Sequence, residues 1–242
     1  MIILPLYFLA ANIMEIFVIF LVSISIIGLT ILLIVSLYYA EKKRREAMTT
    51  IANQLGLTYQ PDDLLGRDNI YANISLFNKG HSHKAYNVIT GSKKGYSVEV
   101  FDYLYKITMS TGKTTTTVTY NNAVCILTIP QRFRYLFVRT ENLFDKIAGA
   151  IGFDDIDFES KEFSKRYYVK SDDKKFAYDI IHPQMIEFLL QSSEVPVIEI
   201  KEKHLAFYIN GKIKPEAYID LYGFASGFYG KTPNYVLEEC KL

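Results

Sequence analysis

A chain of 242 residues with 27 cations, 26 acids and a net charge of +1 lacks the bulk field that draws in nucleic acid, so no nucleic-acid partner is expected. Half of the residues are hydrophobic and none is Trp. Glu15 is the one charged side chain in residues 1–40, which leaves 27 cations against 25 acids on the remainder, enough chain for one ordinary globular domain or two small ones. The two cysteines, Cys125 and Cys240, form neither a zinc spacing nor a disulfide framework. Cys125, in the apolar run Val124 to Leu127, reads as a small buried hydrophobe.

From Ile16 to Tyr39 there are 24 consecutive uncharged residues. A helix of that length, at about 1.5 Å per residue, spans roughly 36 Å and clears a hydrocarbon core of about 30 Å with some tilt. In lipid every backbone polar group must be bonded internally, so the segment is predicted to be a transmembrane helix at about 16–39. Tyr38 and Tyr39 fall where interfacial aromatics belong. Lys42, Lys43, Arg44 and Arg45 follow directly, whereas the N-terminal flank has no Lys or Arg. These four cations are the topology signal: they place the C-terminal side in the cytoplasm and the N-terminus outside, at the cell membrane. The absence of a basic start and the length of the apolar core argue against a cleaved signal peptide. Residues 2–11 are apolar but too short to span. The expected organisation is a membrane anchor over 1–40 and a cytoplasmic domain over 41–242.

Residues 41–56 continue as a helix, with Ala47, Met48, Ile51, Ala52 and Leu55 at helical spacing and Gly56 as its C-cap. Turn chemistry follows at 59–63 and 66–69. Strands are predicted at 70–77, 84–90 and 96–107, joined by connectors at 78–80 and 91–95. On the third, Val98, Val100 and Asp102 share one face, and Ser97, Glu99, Phe101 and Tyr103 the other. A strand or pair over 114–129 ends at Pro130, and 137–139 adds a short one. Thr140 reads as the N-cap of a helix reaching Gly149. A strand at 163–170 precedes two helices, the first capped within 171–173 and the second opened by His182-Pro183. Val197–Ile200 and His204–Ile209 form a closing hairpin around 201–203, and Pro215 starts a last helix to about Phe224. Strands and helices come in runs, so the predicted fold class is α+β, a mixed, mostly antiparallel sheet with several helices behind one N-terminal transmembrane helix.

The stretches 87–91, 100–105 and 162–172, the last running into Phe176-Ala177 and 183–185, together resemble uncharacterised single-pass membrane proteins of bacteria and archaea, grouped as domains of unknown function. The resemblance implies the same topology and carries no assigned catalytic residue.

His81-Ser82-His83 has a metal-like spacing, since residues two apart on a strand point to one side. Asp102 among Phe101, Tyr103 and Tyr105 is an acid in a β segment and a possible third ligand. The favoured reading of these residues is a polar turn beside Gly80 and an acid that bonds a tyrosine hydroxyl or a loop amide. Gly112-Lys113-Thr114 ends like a phosphate loop, but Ile107 stands where its first glycine belongs. No complete catalytic set is present, and no cofactor is nominated. The expected role is a membrane-anchored module binding a protein partner or the bilayer surface. The alternative is a membrane-tethered metal-dependent hydrolase using His81, His83 and Asp102.

Overall fold

The computed structural model describes residues 3–141 and 156–241, with side chains from Glu15 onward. The chain divides into two compact units, Met1–Glu46 and Ala47–Leu242. Helix α1 covers Ile3–Leu55. Its apolar side chains between Ile16 and Tyr39 are all exposed, and they pack against no other described element. Ser23 and Thr30 hydroxyls each donate to a carbonyl one turn back at 2.8 Å, which removes their cost in an apolar medium. In the second unit, the last turns of α1 bury Met48, Ile51 and Ala52 in the core. The helix stops at Gly56, whose φ of +60° few other residues accept. There the Leu57 N–H donates to the Ala52 carbonyl and the Gly56 N–H to that of Asn53.

The described residues form one sheet of six strands: β1 Thr58–Asp62, β2 His81–Lys93, β3 Tyr96–Ser110, β4 Thr115–Thr140, β5 Tyr167–Ser171 and β6 Val197–Asn210. Every pairing is antiparallel. The long β4 is the spine. Its first half pairs with β3, its last residues pair with β5, and β6 runs along its other edge. Lys94 and Gly95, both at positive φ, make the tight β2–β3 turn, whose twist matches the strands.

One face of the sheet carries α1's last turns, α3 Lys161–Arg166, α4 Lys174–Ile180, α5 Pro183–Gln191, α6 Ala217–Gly230 and α7 Asn234–Glu239. Val98, Val100, Cys125 and Leu127 meet Phe163, Met185, Tyr218 and Phe228 there. The opposite face is covered by one short segment, α2 Arg67–Ile70 and the 3-10 helix Ser75–Asn78. Tyr71, Ile74, Leu76 and Phe77 of that segment pack on Phe101, Tyr103, Val124 and Ile126. The α+β class is therefore as expected, and so are β2, β3, α5 and the Asp173 cap, whose carboxylate accepts the Phe176 N–H at 3.1 Å.

Several expected boundaries are corrected. Residues 70–77 form no strand. Their alternating apolar side chains cover the sheet as turns, with the Asn78 amide donating to the Ala72 carbonyl at 2.6 Å. Thr58–Asp62, expected as turn, is the edge strand β1. Pro130 does not end β4. It sits where β4 leaves β3 and before it meets β5, in an irregular stretch of the β4–β6 register, so its missing N–H breaks no ladder. Residues 137–139 belong to the same strand. Residues 163–166 are helical because the Ser160 hydroxyl caps the Phe163 N–H, with Glu162 in the first turn and Lys165 and Arg166 in the last. Lys201-Glu202-Lys203 makes no hairpin. Glu202 at φ +54° kinks a continuous β6 instead. The last helix runs past Phe224 to Gly230, and α7 follows. The helix expected over 140–149 lies almost wholly outside the described residues.

Candidate functional site: a membrane-length helix and three buried polar clusters

Within Glu15–Leu55 an 18-residue window has a mean hydropathy of 3.0 and none of it is buried. Length and composition suffice to cross a membrane. Beyond Tyr39, Glu41 pairs with Arg45 at 3.4 Å and Lys42 with Glu46 at 4.0 Å, both exposed and one helical turn apart. Such pairs contribute little stability; their place beside the apolar run is what matters.

The first polar cluster crosses the helix-covered face. Asp102, buried in β3, accepts from the Tyr218 hydroxyl of α6 at 2.8 Å and from the Asn87 amide of β2 at 2.9 Å. Asn87 in turn accepts from the Tyr59 hydroxyl of β1 at 2.8 Å. Asn87 stands at φ +52°, in a β2–β3 register shift that turns its amide inward. This chain ties three strands to a helix.

The second cluster fastens the covering segment to the other face. Arg67 is wholly buried. Its guanidinium donates to both oxygens of Glu99, at 2.8 and 3.1 Å, and to Asp63 at 2.6 Å. The Tyr71 hydroxyl adds a bond to Glu99 at 2.8 Å. Burial works to lower the Arg67 pKa, yet the two carboxylates outweigh it and leave the cation held above its usual range. The third cluster is centred on Glu199 of β6, 1% exposed, which accepts the Ser75 N–H at 2.8 Å and its hydroxyl at 2.6 Å. It thereby caps the 3-10 helix. None of Arg67, Glu99 and Glu199 was singled out from sequence as a site residue. The available signal was Glu99 on the same strand face as Phe101 and Tyr103, since an acid among buried aromatics needs a partner.

The structure does not bring His81, His83 and Asp102 together. His83 stacks on Tyr103, which lies on the face opposite Asp102. Ser82 at φ +55° breaks the two-residue alternation, so the two imidazoles diverge. His81 bonds Thr108 at 2.9 Å, and His83 bonds the Lys79 carbonyl at 3.0 Å. Among the described residues no three His, Cys, Asp or Glu side chains cluster as metal ligands. Burial raises the Cys125 thiol pKa, which keeps it protonated and unreactive.

A solved structure has a similar fold. It is the crystal structure of the mycobacterial trehalose monomycolate transport factor A, TtfA, with a TM-score of 0.51 over 80% of this chain and 96% of that one. At 11% identity the likeness concerns the fold alone. No protein-family model matches the sequence, and no curated protein does.

His204 ties β6 to the covering segment, with its Nδ1 3.1 Å from the Asn73 side-chain oxygen and its ring edge-on to Tyr71 at 4.9 Å. Burial lowers its pKa from 6.5, against the opposing pull of Glu202 and Glu99. The unfolded chain therefore binds this proton more readily than the folded one, and stability from this group is complete above about 6.5 and declines as pH falls below it. Thermal unfolding between pH 7.5 and 5 should show that decline, reduced in His204→Gln. An unchanged profile in the variant would mean that His204 is not its source.

Proposed function

We propose that the chain is a single-pass membrane-anchored module, with its N-terminus outside and its α+β domain on the cytoplasmic face, which acts by binding a protein partner or the bilayer surface. The observation that carries the reading is an apolar, exposed, membrane-length helix joined to a folded domain with no convergent ligand set among the described residues. The cations Lys42, Lys43, Arg44 and Arg45 support the orientation, because translocating them is costly. Leu64 and Leu65, 78% and 61% exposed, sit on a turn fixed by the Asp63–Arg67 pair. Adjacent exposed leucines on a rigid turn suit a contact surface. TtfA, whose fold is similar, is a transport factor, which is compatible with a membrane-associated module. Membership of the single-pass family that the sequence resembles belongs to the same proposal.

Two measurements on the full chain test this role. A photo-crosslinker at Leu64, in cells, should give a discrete protein or lipid adduct that is absent when the crosslinker stands at an exposed position such as Lys161. Metal analysis of the protein purified from membranes should find no stoichiometric zinc or manganese. Stoichiometric metal lost on the paired changes His81→Ala and His83→Ala would replace this reading with the hydrolase.

A further inference from the structure

Past the start of β2 and the end of β6, strands β3 and β4 continue alone as a two-stranded ribbon. At its base, on the face shared with Tyr103 and Val124, lies an open groove of about 560 Å3. Lys79, Tyr105, Tyr120, Asn122 and Asn210 line it. Its size falls within the range of small-ligand sites and exceeds a bare inorganic ion.

Three features make this groove more than a surface dent. Asn122 is 2% exposed, and its side-chain nitrogen has no hydrogen-bond partner among the described residues. Buried donors are nearly always satisfied, so one left open at a groove points to a missing acceptor. Tyr105 and Tyr120, opposite each other across the strand pair, stack at 5.2 Å with their rings 11° from parallel, which gives a flat apolar wall. Lys79 is fixed at the rim by its backbone. Its carbonyl accepts from His83, and the next residue, Gly80 at φ +67°, lies so close to the Lys106 carbonyl that a Cβ would overlap it.

The charge is one-sided. Among the described residues no carboxylate lines the groove, and residues 103–140 contain no Asp or Glu while Lys106 and Lys113 flank the ribbon. The buried amide donor and the ammonium ask for a ligand that accepts, and the stacked tyrosines offer a wall for its organic part.

We propose that this groove binds a phosphate ester, with Lys79 pairing the anion, Asn122 donating to one of its oxygens and the organic portion packed on Tyr105 and Tyr120. Lysine serves phosphate as a point charge and imposes no planar geometry, unlike the fork of arginine. Both a soluble phosphate ester and the headgroup of an anionic phospholipid present this chemistry.

The test uses the full chain in phosphatidylcholine nanodiscs, with hydrogen exchange followed in peptides covering 103–122 and 205–212. Glycerol 3-phosphate at millimolar concentration should slow exchange there, and glycerol at the same concentration should not. A separate sample replaces part of the phosphatidylcholine with phosphatidylglycerol and omits the soluble ester. Slowing in that sample assigns the lipid headgroup as the source, and slowing by the soluble ester alone assigns a free metabolite. Lys79→Gln and Asn122→Leu should each weaken the response at least tenfold. Asn122→Leu removes an unpartnered donor, so its melting temperature should equal or exceed that of the parent, which separates lost binding from lost folding. Slowing by glycerol equal to that by the ester, no slowing by either anionic probe, or undiminished binding in both variants would overturn the proposal.

Discussion

Replacing Arg67 by Ala is expected to destabilise the folded domain by about 3–5 kcal/mol, the usual cost of removing one partner from a buried ion pair. The cation is wholly buried, and the Glu99 and Asp63 side chains retain only 13% and 12% of their exposure. Without Arg67, Glu99 keeps the Tyr71 hydroxyl and a longer bond from Thr90, but no charge balances it. Asp63 keeps backbone N–H groups alone. For a domain of this size the loss corresponds to a fall in melting temperature of about 6–20 °C. Removing both charges with Arg67→Met and Glu99→Leu should recover most of it, since a well-packed apolar pair often matches a buried ion pair. Thermal unfolding followed by tyrosine circular dichroism reads both variants. Equal destabilisation by the single and double changes would show that packing, not charge balance, sets the cost.

The same cluster sets an acid limit. Burial alone would raise the Asp63 pKa, yet the N–H groups of Arg67 and Leu65 and then the guanidinium outweigh it and leave it below 3.8. Its contribution is present above the ordinary carboxylate range and is lost as pH falls through the lower folded value. Within that acid window Arg67→Ala should lose less with falling pH than the parent.

The second large effect concerns the helix. Deleting residues 1–40 should convert a protein that pellets with carbonate-washed membranes into a soluble domain. Gly28, near the middle of the apolar run, has open space around it, so Gly28→Arg tests lipid and not packing. A central arginine costs about 2.5–3.5 kcal/mol of insertion. The variant should shift a measurable fraction of the chain out of the membrane pellet, whereas Gly28→Leu should not. Equal pelleting of the Arg variant and the parent would detach membrane residence from this segment.

What sequence reasoning could reach followed the locality of the signal. The anchor depends on a run of solvent-like length, and β2, β3 and α5 on periodicity, turns and a proline at the first helical position. A helix covers the apolar run, and β2, β3 and α5 appear where expected. Residues 70–77 misled because Tyr71, Ile74, Leu76 and Phe77 are buried by tertiary contact, and burial in a turn-rich cover mimics strand alternation. Pro130 misled for a similar reason: a proline is tolerated inside a strand where the neighbouring strands change, and that exchange is invisible locally. The polar clusters were partly legible. The faces assigned to Val98, Val100 and Asp102 against Glu99, Phe101 and Tyr103 are those observed, but the partners of the acids come from 32 and 116 residues away. No spacing rule carries that distance. The His81 and His83 pair shows the converse, since one residue at positive φ cancels the geometry that a regular strand would give.

A protease site with a tag fused to the carboxyl end of the full chain reports which side of the membrane the domain faces. In intact cells, externally added protease should leave the tag uncut, and permeabilising the membrane should expose it to complete cleavage. Cutting in intact cells would put the domain outside and contradict the placement of Lys42, Lys43, Arg44 and Arg45 on the inner side.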